Sequence, residues 1–508
     1  MSVNRSARLA PNRGTWLALG ALAAIVAVAA LLRFVDLAVN PGGLYGDEAA
    51  EGLDAAWLLH QPGFHPDFGV WFQSDGGREA LFACVVAGVF NFAGVSVLAL
   101  RATAAAFGVA GVLGIWLLGR RFGTWAGLTA AAWAAGSLWL VCVSRDGMRN
   151  TIVPLFGAVA LIALLHWSAR PGRLSALLAG AVTSLSAMYT YQPLKLLPLL
   201  AVVWLFWLRH AERERYDRMR AGFIPFAVAF LVVAAPMIAV AVAEPSSYFG
   251  RAAAVSPFNP DVYADSSLPV HVLRTIAMFG LTGDPNNRHD VAQIPLLPLP
   301  VAALAALGVW RLWRTRRRGA ESLILLSLPI FLLPPLIAVE GGSPHFLRAL
   351  GLAAPLGVTI GLGAVELVEQ VRRRRGRKAG GVAVAAVALA LAAVAAWSGY
   401  SYLSRPVADR YDAYSYAVAA AGQYTADHPG SAVIIDSYDA MDIELLDWGH
   451  QPAIVDTGSR IADPGAYRTF VAMSKGDLTT ALGPELRGQA APVAWDPAGN
   501  PVVWAVTP

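Results

Sequence analysis

The sequence contains few charged residues. Only 14% of its 508 residues are Asp, Glu, Lys or Arg, about half the share of a soluble protein. With 56% hydrophobic residues and a mean hydropathy of +0.52, this scarcity excludes a single soluble globule. It also excludes a disordered chain, because disorder requires low hydrophobicity and high charge. The composition predicts a polytopic helical membrane protein with room for one modest soluble domain.

Cysteine and the usual cofactor motifs are scarce as well. The two cysteines, Cys84 and Cys142, lie in apolar stretches, which excludes a disulfide framework or a zinc-finger spacing. The sequence has no Gly-x-x-x-x-Gly-Lys-Ser/Thr loop and no His-Glu-x-x-His pattern, so nucleotide-driven chemistry has no support. His60, His65 and Asp67 could meet a metal, but isolated loop histidines are more often solvated, and no metal ligand is predicted.

The net charge of +5 and the pI of about 9.3 do not indicate nucleic acid as a partner. The basic residues lie in short loops between apolar runs, as expected for a protein whose partners include membrane lipids. All but three of them are Arg, and the composition is typical of a GC-rich bacterium. Bacterial plasma membrane is therefore the expected location.

Eleven apolar runs are candidate membrane spans, since each has about 18 or more residues. They cover roughly 15–38, 98–119, 123–143, 151–168, 173–190, 192–208, 221–243, 295–313, 322–339, 346–368 and 379–397. The first run lacks a convincing cleavage site before Pro41, so we interpret it as a retained helix rather than a removed signal peptide.

The distribution of basic residues predicts the orientation. More than half of the 39 Lys and Arg fall in the N-terminal segment and every second loop, which places the N-terminus in the cytoplasm. The run 79–97 would invert this pattern if it spanned, so we predict that it lies in the outer interface. The chain then divides into an all-α membrane domain, 1–397, with an outer loop at 39–97, and an extracytoplasmic α/β domain, 398–508.

An acidic motif follows the first span directly. If a helix starts near Asp47, then Asp47, Glu51 and Asp54 fall on one face at i, i+4 and i+7. A carboxylate desolvated beside a bilayer has a raised pKa, which suits a general base. The competing interpretation is equally strong, because acids favour the first turn of any helix through its dipole.

Basic residues in other predicted outer loops are candidates for holding an anion. The loop 144–150 contains Arg145, Asp146 and Arg149, whose arginines could bind a phosphate or pair with Asp47 or its neighbour Glu48. Lys195 could bind a lipid phosphate, although snorkelling to a headgroup is slightly favoured.

Two later loops supply further candidates. Arg288 lies in the loop 244–294 and could line an anionic or sugar site, but a solvated loop is the simpler interpretation. His345 and Arg348 precede the tenth predicted span and lie one turn apart if a helix starts there. Their simpler interpretation is a helix entry with an interfacial Arg.

In the order of these motifs the chain resembles the GT-C superfamily of multi-span glycosyltransferases, in particular the protein O-mannosyltransferase and aminoarabinose transferase branch. The resemblance rests on Asp47-Glu48 in the first outer loop, an interfacial helix at 79–93, Gly-Arg-Arg-Phe-Gly at 119–123, and the segment 345–351. Related enzymes often have Asp where this chain has Asn150, and a Lys-Pro-Pro-type turn near position 78.

The resemblance implies an inverting transfer of a hexose or pentose from a polyprenyl-phosphate carrier to a glycan, lipid or protein acceptor outside the membrane. Asp47 would be the general base, and Glu48 would orient the acceptor or help to hold a divalent cation, whose need stays open. The residues implied in substrate binding are Arg78, Glu79, Arg145, Asp146, Arg149, Lys195, Arg288, His345 and Arg348. The alternative is a transporter or flippase of a lipid-linked glycan, which the sparse charge within the spans disfavours.

Overall fold

The computed structural model describes residues 13–60, 69–72, 77–262, 266–291, 293–404, 413–449, 452–461, 463–484 and 489–507. The basic residues Arg5 and Arg8 lie outside these ranges. So do His65, Asp67 and the side chain of His60, which the sequence suggested as a weak metal candidate.

Sixteen helices make up the part of the described chain that precedes residue 404. They are α1 (Arg13–Phe34), α2 (Gly46–His60), α3 (Leu81–Ala93), α4 (Val97–Gly119), α5 (Thr124–Gly136), α6 (Leu138–Val143), α7 (Val153–Ala169), α8 (Arg173–Met188), α9 (Leu197–Ala211), α10 (Arg213–Met219), α11 (Phe223–Ala243), α12 (Pro245–Ala254), α13 (Leu268–Ala277), α14 (Leu299–Arg314), α15 (Gly319–Ile337) and α16 (Ala353–Leu403). Two short strands, β1 (Trp71–Phe72) and β2 (Arg78–Glu79), pair antiparallel between α2 and α3.

The predicted polytopic helical fold is confirmed. Within the described ranges, seven helical segments are long and apolar enough to cross a membrane. They include eight of the eleven predicted runs, because α16 contains the last two. The remaining three are also helical but shorter: one is divided into α5 and α6 at Ser137, and α8 and α14 have 16 residues each.

Helix α16 consists of two arms that reverse direction at Gly376, where φ is 85° and ψ is 178°. Both arms pack against α5 through small residues. A Cβ on Gly361 would lie 2.2 Å from the carbonyl oxygen of Ala126, and a Cβ on Gly136 would lie 2.5 Å from the Cβ of Ala395. Glycine at these positions therefore allows the helices to approach closely. Inside a membrane, where the hydrophobic effect does not drive helix association, such close packing is the main stabilising contact.

Helix α3 is too short to span. Its 13 residues extend about 20 Å, whereas the hydrocarbon core is about 30 Å thick. Phe82, Val86 and Phe90 are buried in one cluster that also includes residues of α2 and α4. This agrees with the prediction that the segment does not cross the membrane.

The loops of the helical part separate into two ends. The acid end comprises α2, β1, β2 and the described residues of the loops 144–152, 189–196, 244–298 and 338–352. Contacts such as Gly147 with Glu48, Lys195 with Glu79, Arg251 with Asp47 and Phe346 with Asp284 join these segments. The arginine-rich end comprises the loops around 120, 170, 212, 316 and 375. At that end Glu212 accepts a hydrogen bond from the main chain of Gly319 at 2.7 Å, and Arg311 lies 3.4 Å from Glu366.

The described residues between 413 and 507 form an α/β unit with a five-stranded mixed sheet. The helices and strands of this unit are α17 (Tyr416–Asp427), β3 (Ser431–Ile434), α18 (Ala440–Leu446), β4 (Ala453–Val455), β5 (Thr469–Ala472), α19 (Lys475–Leu482), β6 (Ala491–Trp495) and β7 (Pro501–Val506). The strand order is β4-β3-β5-β7-β6. Alternate residues of β3 face opposite sides, since Val433 packs with α17 and α18 while Ile434 packs with α19.

This α/β unit rests on the acid end through α18. A Cβ on Gly52 of α2 would lie 2.5 Å from Leu445, which is buried in the same cluster as α2, α3 and α4. The predicted helix at 409–427 and strand at 432–435 correspond to α17 and β3.

Candidate active site

Asp47 occupies the first turn of α2 and is held from two sides. Its Oδ1 accepts a hydrogen bond from the Tyr438 hydroxyl at 3.1 Å, and its Oδ2 lies 3.2 Å from Nη2 of Arg251 on α12. The Tyr438 ring lies so close that a Cβ on Gly46 would be 2.6 Å from it. Burial and the Asp47 charge both raise the pKa of Tyr438, so this hydroxyl remains a hydrogen-bond donor.

Glu48 is fully buried and faces a different part of the protein. Arg101 binds both of its carboxylate oxygens, at 2.7 and 2.8 Å, and the main-chain N–H of Gly147 donates to Oε1 at 2.8 Å. Arg101 also donates to the carbonyl oxygens of Pro41 and Gly43. The pair therefore fixes the turn before α2 against α4 and the loop 144–150.

The next acids of α2 belong to a buried ion network. Arg149 lies 2.6 Å from Glu51 and 3.1 Å from Glu79, and Lys195 lies 3.1 Å from the other oxygen of Glu79. Arg149 lies over the ring of Tyr191. Two carboxylates, from α2 and β2, thus meet two cations, one from the loop before α7 and one from the loop after α8.

Arg78 contacts α2 at two points. Its Nε is 3.6 Å from Asp54, and its Nη1 is 3.5 Å from the carbonyl oxygen of Asp47. The predicted helix is present as α2, and the spacing of Asp47, Glu51 and Asp54 within it places them on one face. Each of these acids contacts a different arginine.

Asp146 and Arg145 point to different places although they are neighbours. Asp146 accepts a hydrogen bond from Tyr414 of the α/β unit, and burial, with help from the Glu48 charge, raises the pKa of Asp146 to about 7. Arg145 donates to the carbonyl oxygens of Leu32, Val35 and Asn40 at 2.8 to 3.0 Å. Arg145 therefore holds the end of α1 and lies apart from Asp47.

The later predicted residues line the same end. The Arg288 guanidinium lies 3.4 Å from the ring centroid of Tyr45, two residues before Asp47. Arg348 donates to the carbonyl oxygen of Ala338 at 2.7 Å. His345 lies three residues before Arg348, with its ring 4.9 Å from that of His289. Burial lowers the pKa of both histidines.

Exposure divides these cations into two groups. Arg78, Arg101, Arg145 and Arg149 are buried and are engaged by carboxylates or carbonyl oxygens. Lys195, Arg251, Arg288 and Arg348 are only partly buried. The second group is accessible to an anionic ligand arriving beside Asp47, whereas the first group is committed to holding the loops together.

The fold is the ArnT fold. The crystal structure of ArnT from Cupriavidus metallidurans bound to undecaprenyl phosphate matches with a TM-score of 0.61 at 15% sequence identity, covering 96% of this chain and 98% of that chain. The same protein in the apo state matches with a TM-score of 0.60 at 16% identity and the same coverage. No family model matches the chain, and no curated protein matches it in sequence.

Four residues that contact the predicted acids were not among the predicted site residues: Arg101, Arg251, Tyr414 and Tyr438. One of them had a usable signal. Arg101 lies in the fifth position of an apolar span, and a charge inside a span requires a partner. The two tyrosines come from the α/β unit, about 270 and 390 residues from their partners, and no local pattern predicts such contacts.

Proposed function

We propose that the protein is a glycosyltransferase of the bacterial plasma membrane that moves a sugar from a polyprenyl-phosphate carrier to a hydroxyl of a glycan, lipid or protein acceptor. The observation that carries the proposal is the environment of Asp47, a carboxylate at the N-terminus of α2 that contacts the partly exposed Arg251, with Arg288 over the nearby Tyr45. The donor class is supported by the shared fold with an ArnT that binds undecaprenyl phosphate.

In the proposed reaction Asp47 is the general base. It accepts the proton of the acceptor hydroxyl while the hydroxyl oxygen attacks the anomeric carbon. The new glycosidic C–O bond forms as the bond to phosphate breaks, and polyprenyl phosphate leaves with the bonding electron pair. Attack from the face opposite the phosphate inverts the anomeric configuration. Tyr438 and Arg251 orient the carboxylate for this step.

The partly exposed cations are proposed to stabilise the leaving phosphate. Negative charge grows on the phosphate oxygen in the transition state, and fixed positive groups stabilise it most where water is excluded. Arg251 and Arg288 lie nearest to Asp47, through direct contact with it and with Tyr45. Two further cations extend this positive surface. Lys195 lies over the ring of Tyr248, on the same helix as Arg251, and the charges of Arg348 and Arg251 interact.

Glu48 is proposed as a positioning residue. Because Arg101 and Gly147 hold both of its oxygens and it is fully buried, we assign it neither contact with the acceptor nor a role as a cation ligand. Arg149 and Arg78 are likewise buried and bound to carboxylates, so we propose that they hold the loops of the site in place. Arg145 is buried against carbonyl oxygens at the end of α1, and we propose that it holds that end in place.

The test is transfer by purified full-length protein from a panel of radiolabelled undecaprenyl-phosphate pentoses and hexoses to extracted envelope acceptors. We expect Asp47→Asn to lower the rate by about 10²- to 10⁴-fold, the usual contribution of a general base, while its thermal unfolding is unchanged. Asp217→Asn, an equal change at the arginine-rich end, is the matched control and should keep the wild-type rate.

Two results would contradict the proposal. A wild-type rate of transfer by Asp47→Asn would show that Asp47 is not the general base. If the wild-type protein neither binds undecaprenyl phosphate nor transfers a sugar from any donor of the panel, the protein is not the proposed glycosyltransferase.

A further inference from the structure

Three buried side chains with metal-binding atoms lie together close to Arg288 and Arg348. They are Asp284 and His289 of the loop after α13 and His345 of the segment after α15, all buried. One ligand atom from each lies within 4.8 Å of the others. The resemblance to glycosyltransferases places His345 among the substrate-binding residues but assigns no task to Asp284 or His289, and the proposed transfer uses none of the three.

His345 provides the observation that points to a ligand. Its Nδ1 is buried and has no hydrogen-bond partner among the described residues. A buried polar atom without a partner is unfavourable and rare in folded proteins. Coordination of a metal ion by this nitrogen would satisfy it, and His289 and Asp284 are the neighbouring groups that can share the ion.

The carboxylate of Asp284 is already oriented by its surroundings. Its Oδ1 accepts the main-chain N–H of Asn286 at 2.8 Å, and its Oδ2 accepts the main-chain N–H of Phe346 at 2.6 Å. Metal-ligating carboxylates are commonly held in this way by hydrogen bonds from outside the coordination sphere. The main chain of both loops therefore fixes the position from which Asp284 would bind.

The present spacing is close to that of a tetrahedral site. Nitrogen and oxygen ligands about 2.0 to 2.1 Å from zinc are roughly 3.3 Å apart, and His289 Nδ1 lies 3.0 Å from Asp284 Oδ2. On metal binding this hydrogen bond is exchanged for two bonds to the ion, and His289 retains its proton on Nε2. The three ligand atoms lie within 4.8 Å of one another, so His345 completes the set by moving its ring about 1 to 2 Å.

We propose that Asp284, His289 and His345 form a Zn²⁺ site that joins the loop 282–291 to the segment 338–349. Two imidazoles and one carboxylate favour zinc over Mg²⁺ or Ca²⁺, which prefer oxygen ligands. The charges of Arg288 and Arg348 act on these histidines and oppose a cation, so Asp284 is required for affinity. The ion would fix the loop from which Arg288 reaches Tyr45.

The experiment is calorimetric titration of Zn²⁺ into full-length protein, purified with a tag that contains no histidine and stripped with a chelator. We expect one equivalent per chain. His289→Ala and His345→Ala should each weaken it by at least about 100-fold, and Asp284→Asn by about 10- to 100-fold. His210→Ala, an exposed histidine at the arginine-rich end, and the double variant His60→Ala/His65→Ala should bind as the wild type does.

A second measurement does not depend on how well the variants fold. Zn²⁺ should raise the thermal unfolding temperature of the chelator-treated wild-type protein, because an ion that binds only the native state stabilises it. No tight equivalent in the wild type, no rise in its unfolding temperature, or zinc binding retained by folded His345→Ala would each overturn the proposal. Loss of zinc from the His60/His65 variant would do so as well.

Discussion

The two ends of the helical bundle use arginine in opposite ways. At the arginine-rich end the side chains of Arg213, Arg220, Arg318 and Arg373 are 61 to 73% exposed, and each pairs with an acid three or four residues away. At the acid end Arg78, Arg101, Arg145 and Arg149 are at most 3% exposed and contact groups far away in sequence. The exposed arginines form local pairs, whereas the buried arginines join separate segments of the chain.

The energetic consequence of this difference is large. An exposed ion pair is worth about 0 to 1 kcal/mol, because water screens it and two long side chains must be ordered. Removal of one partner from a buried pair leaves a desolvated charge and costs about 3 to 5 kcal/mol. The local fold at the acid end therefore depends on individual arginines, and the other end does not.

Arg149→Met gives the largest expected effect. The substitution leaves Glu51 and Glu79 without their shared cation, and we expect the protein to lose about 3 to 5 kcal/mol of stability. Arg213→Met at the other end is the control and should change stability by less than about 0.5 kcal/mol. Thermal unfolding in detergent measures both, and equal effects would break the comparison between the ends.

Adding Glu51→Gln to Arg149→Met distinguishes lost charge balance from lost packing. The amide removes one uncompensated charge, so the double variant should be more stable than Arg149→Met alone. If the double variant is less stable, packing by the Arg149 side chain is the dominant contribution.

Tyr438→Phe tests whether the α/β unit takes part in the proposed reaction. The ring still packs on Gly46, but the hydrogen bond to Asp47 is lost. A hydrogen bond to a charged group is worth about 1.5 to 3 kcal/mol, so transfer should fall by roughly 10- to 100-fold. Since the bond favours the charged carboxylate, the acidic limb of the pH–rate profile should also move to higher pH.

Tyr416→Phe is the matched control for this experiment. Its hydroxyl donates to the carbonyl oxygen of Trp495 within the α/β unit, so its loss should leave the rate and the pH profile unchanged. A slower Tyr438→Phe enzyme with an unmoved pH profile would indicate that Tyr438 only supports the fold.

The sequence predicted the helical part well because membrane insertion depends on local properties. Apolar length and the position of arginines are readable along the chain, and they placed α3 outside the spans and grouped the loops at two ends. The division of one predicted span into α5 and α6 at Ser137 was not predicted. The break lies where the neighbouring Gly136 contacts Ala395 and accepts a hydrogen bond from Ser398 of α16, and such contacts between distant helices are not visible in composition.

The candidate site was predictable only in part. Asp47, Glu48 and the nearby arginines could be named, since charge beside an apolar run is conspicuous. Their partners could not, because ion pairs such as Glu48–Arg101 join residues from separate helices. The partners of Arg145 and Asp146 could not be predicted either. Although the two residues are adjacent, Arg145 bonds to the end of α1 and Asp146 bonds to Tyr414 of the α/β unit.

Asp442 of α18 is an exception that sharpens the comparison. It is buried at the acid end, yet its carboxylate oxygens have no hydrogen-bond partner among the described residues. Burial, with the Asp439 and Glu48 charges, raises the pKa of Asp442 to about 9. Where Glu48 and Glu51 are buried with an arginine, Asp442 is buried as a neutral acid.

The pH dependence of stability follows from this raised pKa. Between about pH 4 and pH 9 the native protein holds a proton on Asp442 that the unfolded chain releases, so stability falls as pH rises through this window. Asp442→Asn mimics the neutral acid and cannot titrate. We expect it to match the wild type near pH 4 and to become more stable than the wild type as the pH rises towards 9, by at most about 1.4 kcal/mol per pH unit, as measured by thermal unfolding. Asp427→Asn, which changes an exposed acid of α17, is the control and should have the stability of the wild type throughout this pH range. If the stability of Asp442→Asn also equals that of the wild type throughout the range, α18 separates from α2 before Asp442 ionises.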